Sequence, residues 1–322
     1  MVELAVIANP GASPAMPGLI VRAGKQAAWR FFEFFAVHIR NPNTRAAYAL
    51  AAGAFLRWCE GQGIGALGQV QPVHVAAYIE ALQAVRSAPT VKQHLACIRM
   101  LFDWLVIGQV VPSNPAHAVR GPRYSVSQGS TPVLSSAEAT ALLANMHVST
   151  VVGLRDRAII AVMTYTFARV GAVVALAVED YYAQKKRWWL RLHEKNGKLH
   201  AMPCHHKLED YLDAYLDAAG LRGDRQGPLF RCAIGKTGVL TGKPMSRTDV
   251  WYMVRRRAAD AGIPTAIGCH TFRATGITDY LTNGGRIEVA QHMAGHSNAK
   301  TTGLYDRRHD DISIGEVEKI GI

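Results

Sequence analysis

Arg187-Trp188-Trp189-Leu190-Arg191-Leu192-His193-Glu194-Lys195-Asn196-Gly197-Lys198-Leu199-His200-Ala201-Met202-Pro203-Cys204 is the stretch that decides the fold. In its first half Trp188, Leu190 and Leu192 alternate with Trp189, Arg191 and His193, the period of two that a half-buried strand requires. Asn196-Gly197 suits a type I′ turn, which needs positive φ at both central residues, and residues 199 to 204 supply the return strand. The spacing predicts a β-hairpin with Lys195 at its tip.

Outward from this hairpin the pattern becomes helical on both sides. Ser135 to Leu176 precedes it; Leu208 to Ala219 and Ser246 to Ala261 follow, the latter closed by Gly262-Ile263-Pro264. Further upstream, Gln26 to Ile39 carries Phe31, Phe34, Phe35 and His38 at helical spacing and stops at Asn41-Pro42-Asn43, with Asn43 read as the cap of the next helix, Thr44 to Glu60. Gln71 to Ala84 and Ala88 to Leu105 complete a small bundle, the last helix burying Val91, Leu95, Ile98, Phe102 and Leu105 and leaving Lys92 and Arg99 for solvent or a phosphate. Residues 120 to 132 break all periodicity with Gly, Ser and Pro and carry Arg120 and Arg123; a solvated linker and a basic strap are equally good readings of them. The expected organisation is a flexible leader over 1–24, a helical domain over 25–119, the linker over 120–132, a second domain over 133–311 and a tail over 312–322 with several apolar residues. The expected class is mainly α with a small antiparallel β-sheet.

With 322 residues, 49% hydrophobic and 19% charged, the chain is globular rather than disordered. Its 36 Lys and Arg against 24 Asp and Glu give a net charge of +12, the electrostatic footprint of a protein that lies on a polyanion, nucleic acid ahead of an anionic membrane surface. Cys59, Cys97, Cys204, Cys232 and Cys269 are scattered without a Cys-x-x-Cys pair, which argues against a disulfide framework or a thiolate zinc site and for a reducing compartment. No apolar run reaches membrane-spanning length and the start lacks the order of a signal peptide, so a cytoplasmic, nucleoid-associated protein is expected.

The chemistry gathers near the end, in Cys269-His270-Thr271-Phe272-Arg273-Ala274-Thr275-Gly276, Met293-Ala294-Gly295-His296-Ser297 and Thr301-Thr302-Gly303-Leu304-Tyr305. His270 and Arg273 share one helix face. A phenol becomes a nucleophile when its proton is taken, and a phosphodiester accepts attack when its growing equatorial charge is neutralised. Guanidinium groups match phosphate oxygens in fork geometry, and besides Arg273 there is Arg169 in Thr166-Phe167-Ala168-Arg169. Lys195 offers a proton to a leaving alkoxide, with Lys198 as its rival. No metal and no cofactor are called for. Cys204-His205-His206 is not read as a metal cluster, because consecutive residues rarely face one site.

In this order the residues resemble the tyrosine recombinases of the phage integrase family, from the helical region near residue 25 to Tyr305. The family pattern is an arginine at a helix end (Arg169), a lysine in the following hairpin (Lys195), His-x-x-Arg (His270 and Arg273), Gly-His (Gly295-His296) and the nucleophilic tyrosine (Tyr305). The resemblance implies a two-domain DNA clamp, a core-binding domain followed by a catalytic one, acting as a homo-oligomer, a tetramer on two recombination sites of double-stranded DNA. It further implies that Tyr305 forms a 3′-phosphotyrosyl bond, Arg169 and Arg273 clamp the non-bridging oxygens, His270 assists proton transfer, His296 bonds the phosphate and Lys195 protonates the 5′-oxygen. Arg45, Lys92, Arg120 and Arg123 are the candidate DNA contacts. Two departures stand out: the family's carboxylate three residues after the first arginine is Ala172 here, with Glu179 or Asp180 as substitutes, and Thr-Gly-Leu before that arginine is Thr166-Phe167-Ala168. The alternatives are a type IB topoisomerase-like enzyme and a catalytically weakened DNA-binding relative.

Overall fold

The computed structural model describes residues 16–125, 129–194, 197, 199–235, 237–296 and 298–306, and the chain divides into two units between Ser125 and Val126. The first unit is a bundle of α1 (Gly18–Arg22), α2 (Lys25–Glu33), α3 (Pro42–Gly61), α4 (Pro72–Gln83) and α5 (Ala88–Ile107). The apolar stripes of α3 and α5 meet in its centre, where Phe55, Leu56, Ile98, Leu101 and Phe102 are fully buried. Phe55 stands edge-on to both Phe102 and Tyr78, the arrangement that aromatic quadrupoles favour.

Three details differ from expectation. The leader through residue 24 is not wholly loose, since α1 buries Leu19 and Ile20 and anchors the Leu19 N–H on Glu60 at 2.6 Å; residues 1–15 lie outside the described part. The cap of α3 is Asn41, whose side chain accepts from the N–H groups of Asn43 and Thr44, because Pro42 already occupies the first helical position. Arg99 is not left for a phosphate: it donates to the carbonyls of Ala116 and Val119 and ties α5 to the chain that follows it.

The second unit holds α6 (Ser136–Ala144), α7 (Val151–Tyr165), α8 (Val170–Val174), β1 (Tyr181–Gln184), β2 (Arg187–His193), β3 (Leu199–Pro203), α9 (His206–Ala219), β4 (Arg231–Ala233), β5 (Leu240–Pro244), α10 (Arg247–Asp260), α11 (Cys269–Thr282), α12 (Ile287–Met293) and α13 (Ala299–Gly303). α7 is its axis. Ala158 through Met163 are buried without a break, as in a helix covered on every side, and α7 packs against α9 and α11. The one buried carboxylate at its start, Asp156, is held by Arg155, Arg256 and Arg257 at 2.7 to 3.3 Å, while Arg255 lies over the Trp251 ring. Removing a partner from such a buried group leaves an uncompensated charge.

The predicted hairpin is present, with Leu190 and Leu192 fully buried on one face of β2. His193 pairs with Leu199 at the end where the two strands join, as the expected strand bounds require, and Lys195, Asn196 and Lys198 of the connection lie outside the described residues. The tight two-residue turn lies on the other side, where Gln184 pairs with Arg187 and Lys185 takes φ +57°. The order of this sheet is β1-β2-β3, and β4 with β5 forms a second small antiparallel pair that the pattern did not reveal. Of the expected linker, Gly129 is already part of this unit: its N–H donates to Leu304 O at 3.0 Å.

α11 reaches α7 closely enough that a Cβ at Gly276 would stand 2.2 Å from Thr164 O and 2.8 Å from the Phe167 ring. Gly276→Ala therefore forces the two helices apart and lowers stability by at least the ~1–3 kcal/mol of ordinary overpacking, read as the midpoint of urea unfolding. Gly61→Ala, with nothing within 4 Å of the new methyl, leaves that midpoint in place or raises it.

Candidate active site

The end of α7 is built to present an arginine. Thr166 closes the helix with its N–H on Val162 O and its hydroxyl on the same carbonyl, and Phe167 then enters the left-handed region at φ +55°. That conformation costs a residue with a Cβ roughly 1–2 kcal/mol, which explains why the family pattern has glycine here. The Phe167 side chain is buried in a cluster with Ala274, Ile277, Leu281, Ala290, Ala294 and Tyr305. The reversal leads straight into Arg169 at the start of α8 and turns the Phe167 carbonyl toward Arg273.

Arg273, one turn into α11, is 1% exposed. It donates through Nη1 to Phe167 O and through Nη2 to Ala294 O at 2.5 Å, and its Nε has no partner among the described residues. Burial, and then the nearby Arg169, pull its pKa down to about 10. His270, on the same face, places Nε2 2.9 Å from the Tyr305 hydroxyl. Burial first, then Arg273 and Arg169, lower its pKa from the ordinary value, which favours the neutral ring; in the tautomer with its proton on Nδ1, Nε2 accepts from the phenol.

Gly295 takes φ +59° where α12 ends and brings the chain round to His296. The His296 ring lies parallel to that of Tyr305, centroids 6.0 Å apart, and its Nδ1 is 2.8 Å from Thr302 Oγ1. When that hydroxyl donates, the ring proton is on Nε2, free to be given to another acceptor. Tyr305 itself is 7% exposed and fixed by its backbone: its N–H donates to Thr302 O, and its carbonyl accepts from Thr278. Thr302 and Thr278 were not singled out in the sequence; the hydroxyl spacing that recruits them appears only once α11 and α13 are adjacent.

The structure thus brings Arg169, His270, Arg273, His296 and Tyr305 together in the second unit. Lys195 and Lys198 lie outside the described residues. Neither proposed substitute for the family's carboxylate reaches Arg169: Glu179 is exposed, and Asp180 is buried under His193 and Arg191. The carboxylate that does is Glu194, 2.9 Å from Arg169 Nη1, while Ala172 is buried in α8. In the first unit Lys92, Arg120 and Arg123 are exposed, and Lys92 runs beside Gly121. Arg45 is half-buried, its Nε on Ile39 O. Among the described residues no cluster of three His, Cys, Asp or Glu could hold a metal ion, and no helix is long and apolar enough to cross a membrane.

Comparison with known proteins adds independent findings. The model of the phage integrase family matches residues 132–311, and that of the phage integrase N-terminal SAM-like domain matches residues 30–108. The tyrosine recombinase XerD of Ralstonia nicotianae is 29% identical over 266 residues, 82% of this chain and 83% of that protein. XerD of Pseudomonas aeruginosa is 27% identical over 263 residues, covering 82% and 86%. In fold, the chain resembles XerH recombinase in a post-cleavage complex with a palindromic difH substrate, with a TM-score of 0.68 and 18% identity over 86% of this chain and 79% of that one. It also resembles a lambda integrase tetramer bound to a Holliday junction, with a TM-score of 0.66 and 18% identity over 89% and 79%.

His296 is the most shifted imidazole of the site, its pKa brought down to about 4 by burial and then by Arg273, Arg169 and His270. The unfolded chain binds a proton there near the ordinary 6.5, so the folded state loses stability as pH falls from about 6.5 toward 4. Urea midpoints across that range should fall less steeply in His296→Gln, and the His296 ring resonances should stay in their neutral positions down to about pH 5.

Proposed function

Because the chain belongs to the phage integrase family, we propose that it works as a tyrosine-type site-specific recombinase that cleaves and rejoins double-stranded DNA through a 3′-phosphotyrosyl intermediate on Tyr305. The observation that carries this reading is the 2.9 Å contact between the Tyr305 hydroxyl and a neutral His270, beside Arg169 and the buried Arg273. The phenol proton passes to His270 as the Tyr305 oxygen bonds to phosphorus. The bond from phosphorus to the 5′-oxygen breaks, and Lys195 gives that oxygen its proton. Arg273 presents its unpartnered Nε–H, Arg169 its outer edge and His296 its Nε2–H to the non-bridging oxygens, where equatorial charge grows. The reverse sequence on a second strand reseals the DNA, the bond energy having been kept in the phosphotyrosine.

In this reading residues 25–119 are the core-binding domain and 133–311 the catalytic domain of a clamp on DNA. Lys92, Arg120 and Arg123, with the outer edge of Arg45, contact phosphates, which positions the protein without reading sequence. The lambda integrase tetramer on a junction supports a tetramer on two sites as the working assembly, and a protein of this kind works in the cytoplasm, on the nucleoid.

On a nicked suicide duplex, wild-type protein should form a covalent adduct and Tyr305→Phe none, with duplex affinity retained. His270→Ala should form it more slowly by ~10²–10⁴-fold, the usual worth of a proton-transfer group. Adduct formation should persist in excess EDTA, and binding should weaken steeply with salt as counterions are released. An adduct in Tyr305→Phe places the nucleophile elsewhere.

A further inference from the structure

A carboxylate stands inside the cationic site. Glu194 follows the last residue of β2, its side chain is 9% exposed, and its Oε2 lies 2.9 Å from Arg169 Nη1. A Cβ at Gly295 would stand 4.0 Å from its carboxyl carbon, which places that carboxyl between Arg169 and the turn leading to His296. It also acts on Arg273, raising its pKa against the effect of burial. Among the described residues no other carboxylate lies within ion-pair distance of either arginine.

We propose that Glu194 is a positioning residue of the strand-transfer reaction: its carboxylate holds Arg169 in place beside Arg273 and ties that arginine to the root of the hairpin that carries Lys195. The inference rests on the recombinase reading above. Arg169 is 41% exposed. Unpaired, such a side chain keeps its rotamer freedom and is pushed toward solvent by the cation beside it. The pair uses one nitrogen of the guanidinium and leaves the remaining donors for a phosphate. Its neighbour His193 is held from the other side, Nε2 at 3.0 Å from the buried Asp180. Two successive residues therefore root the end of β2, one on the buried Asp180 just before β1 and one on Arg169 at the site. With Ala172 too short to reach any cation, this arrangement lets a carboxylate arrive from the strand instead of from α8.

The test compares wild type, E194Q and E194D in two measurements: the single-turnover rate of adduct formation on a nicked duplex, with duplex affinity measured alongside, and the NMR resonances of the Arg169 guanidinium without DNA. E194Q should form adduct more slowly by ~10–100-fold, the scale of a small misplacement of a reacting group, with affinity unchanged, and E194D should retain more of the rate. The Arg169 Nη resonances, separate in a held guanidinium, should average in E194Q. An E194Q protein with wild-type rate and spectrum overturns the proposal. So does one that cleaves faster, since the carboxylate would then be occupying the place of the phosphate. Should wild-type protein form no adduct on any duplex, the recombinase reading fails, and the Arg169 spectrum still decides whether Glu194 holds that side chain.

Discussion

Everything in the catalytic unit is arranged around a guanidinium that has been taken out of water. Arg273 is the largest fully buried side chain among the described residues, and an isolated charge in that position would be prohibitive. Its two Nη groups are instead satisfied by carbonyls from two separate places, Phe167 after α7 and Ala294 after α12. These bonds do more than solvate a charge. They make the helix carrying His270 and Arg273 the fixed point to which the Arg169 turn and the His296 turn are referred.

Concentrating cations around a buried arginine has an electrostatic result that suits the chemistry. Each imidazole feels burial and the same two guanidiniums, so both are held in the neutral form. Neutral rings can receive or lend a proton, whereas the permanently charged arginines cannot. The division of labour between charge stabilisation and proton movement proposed for the reaction would follow from placing both kinds of group in one poorly solvated site. Glu194 moderates that field from its edge.

How far the sequence could be read depended on whether a feature was local. The β2–β3 hairpin, the five candidate residues that the fold brings together and the stripes of α3 and α5 were legible because residue type and periodicity carry them. β1 was not, since its four residues Tyr181 to Gln184 are joined to β2 through Lys185-Lys186, a pair without the Gly or Asn that marks a tight turn. The cap at Asn41 was misread as Asn43, although Pro42 at the first helical position signals that the cap precedes it. Arg99 looked free because its acceptors lie on chain that returns only after α5. Glu194 was missed for the same reason: its partner lies across the fold, and neither residue announces the other in sequence. The strain at Phe167 was visible only as a departure from the family's glycine.

The bond from Gly129 to Leu304 has a bearing on how such a chain can diverge. Leu304 immediately precedes Tyr305, and a Cβ at Gly129 would stand 2.7 Å from its carbonyl oxygen. A few residues later the Leu134 N–H is held by Thr275 on α11. The short run from 129 to 134 is thus stitched at both ends into the surroundings of Tyr305, though by composition its first four residues belong to a spacer. Insertions and deletions, which spacers ordinarily accumulate freely, would here shift the register of the tyrosine. Drift in length between related chains should accordingly be confined to the part of the spacer before Gly129.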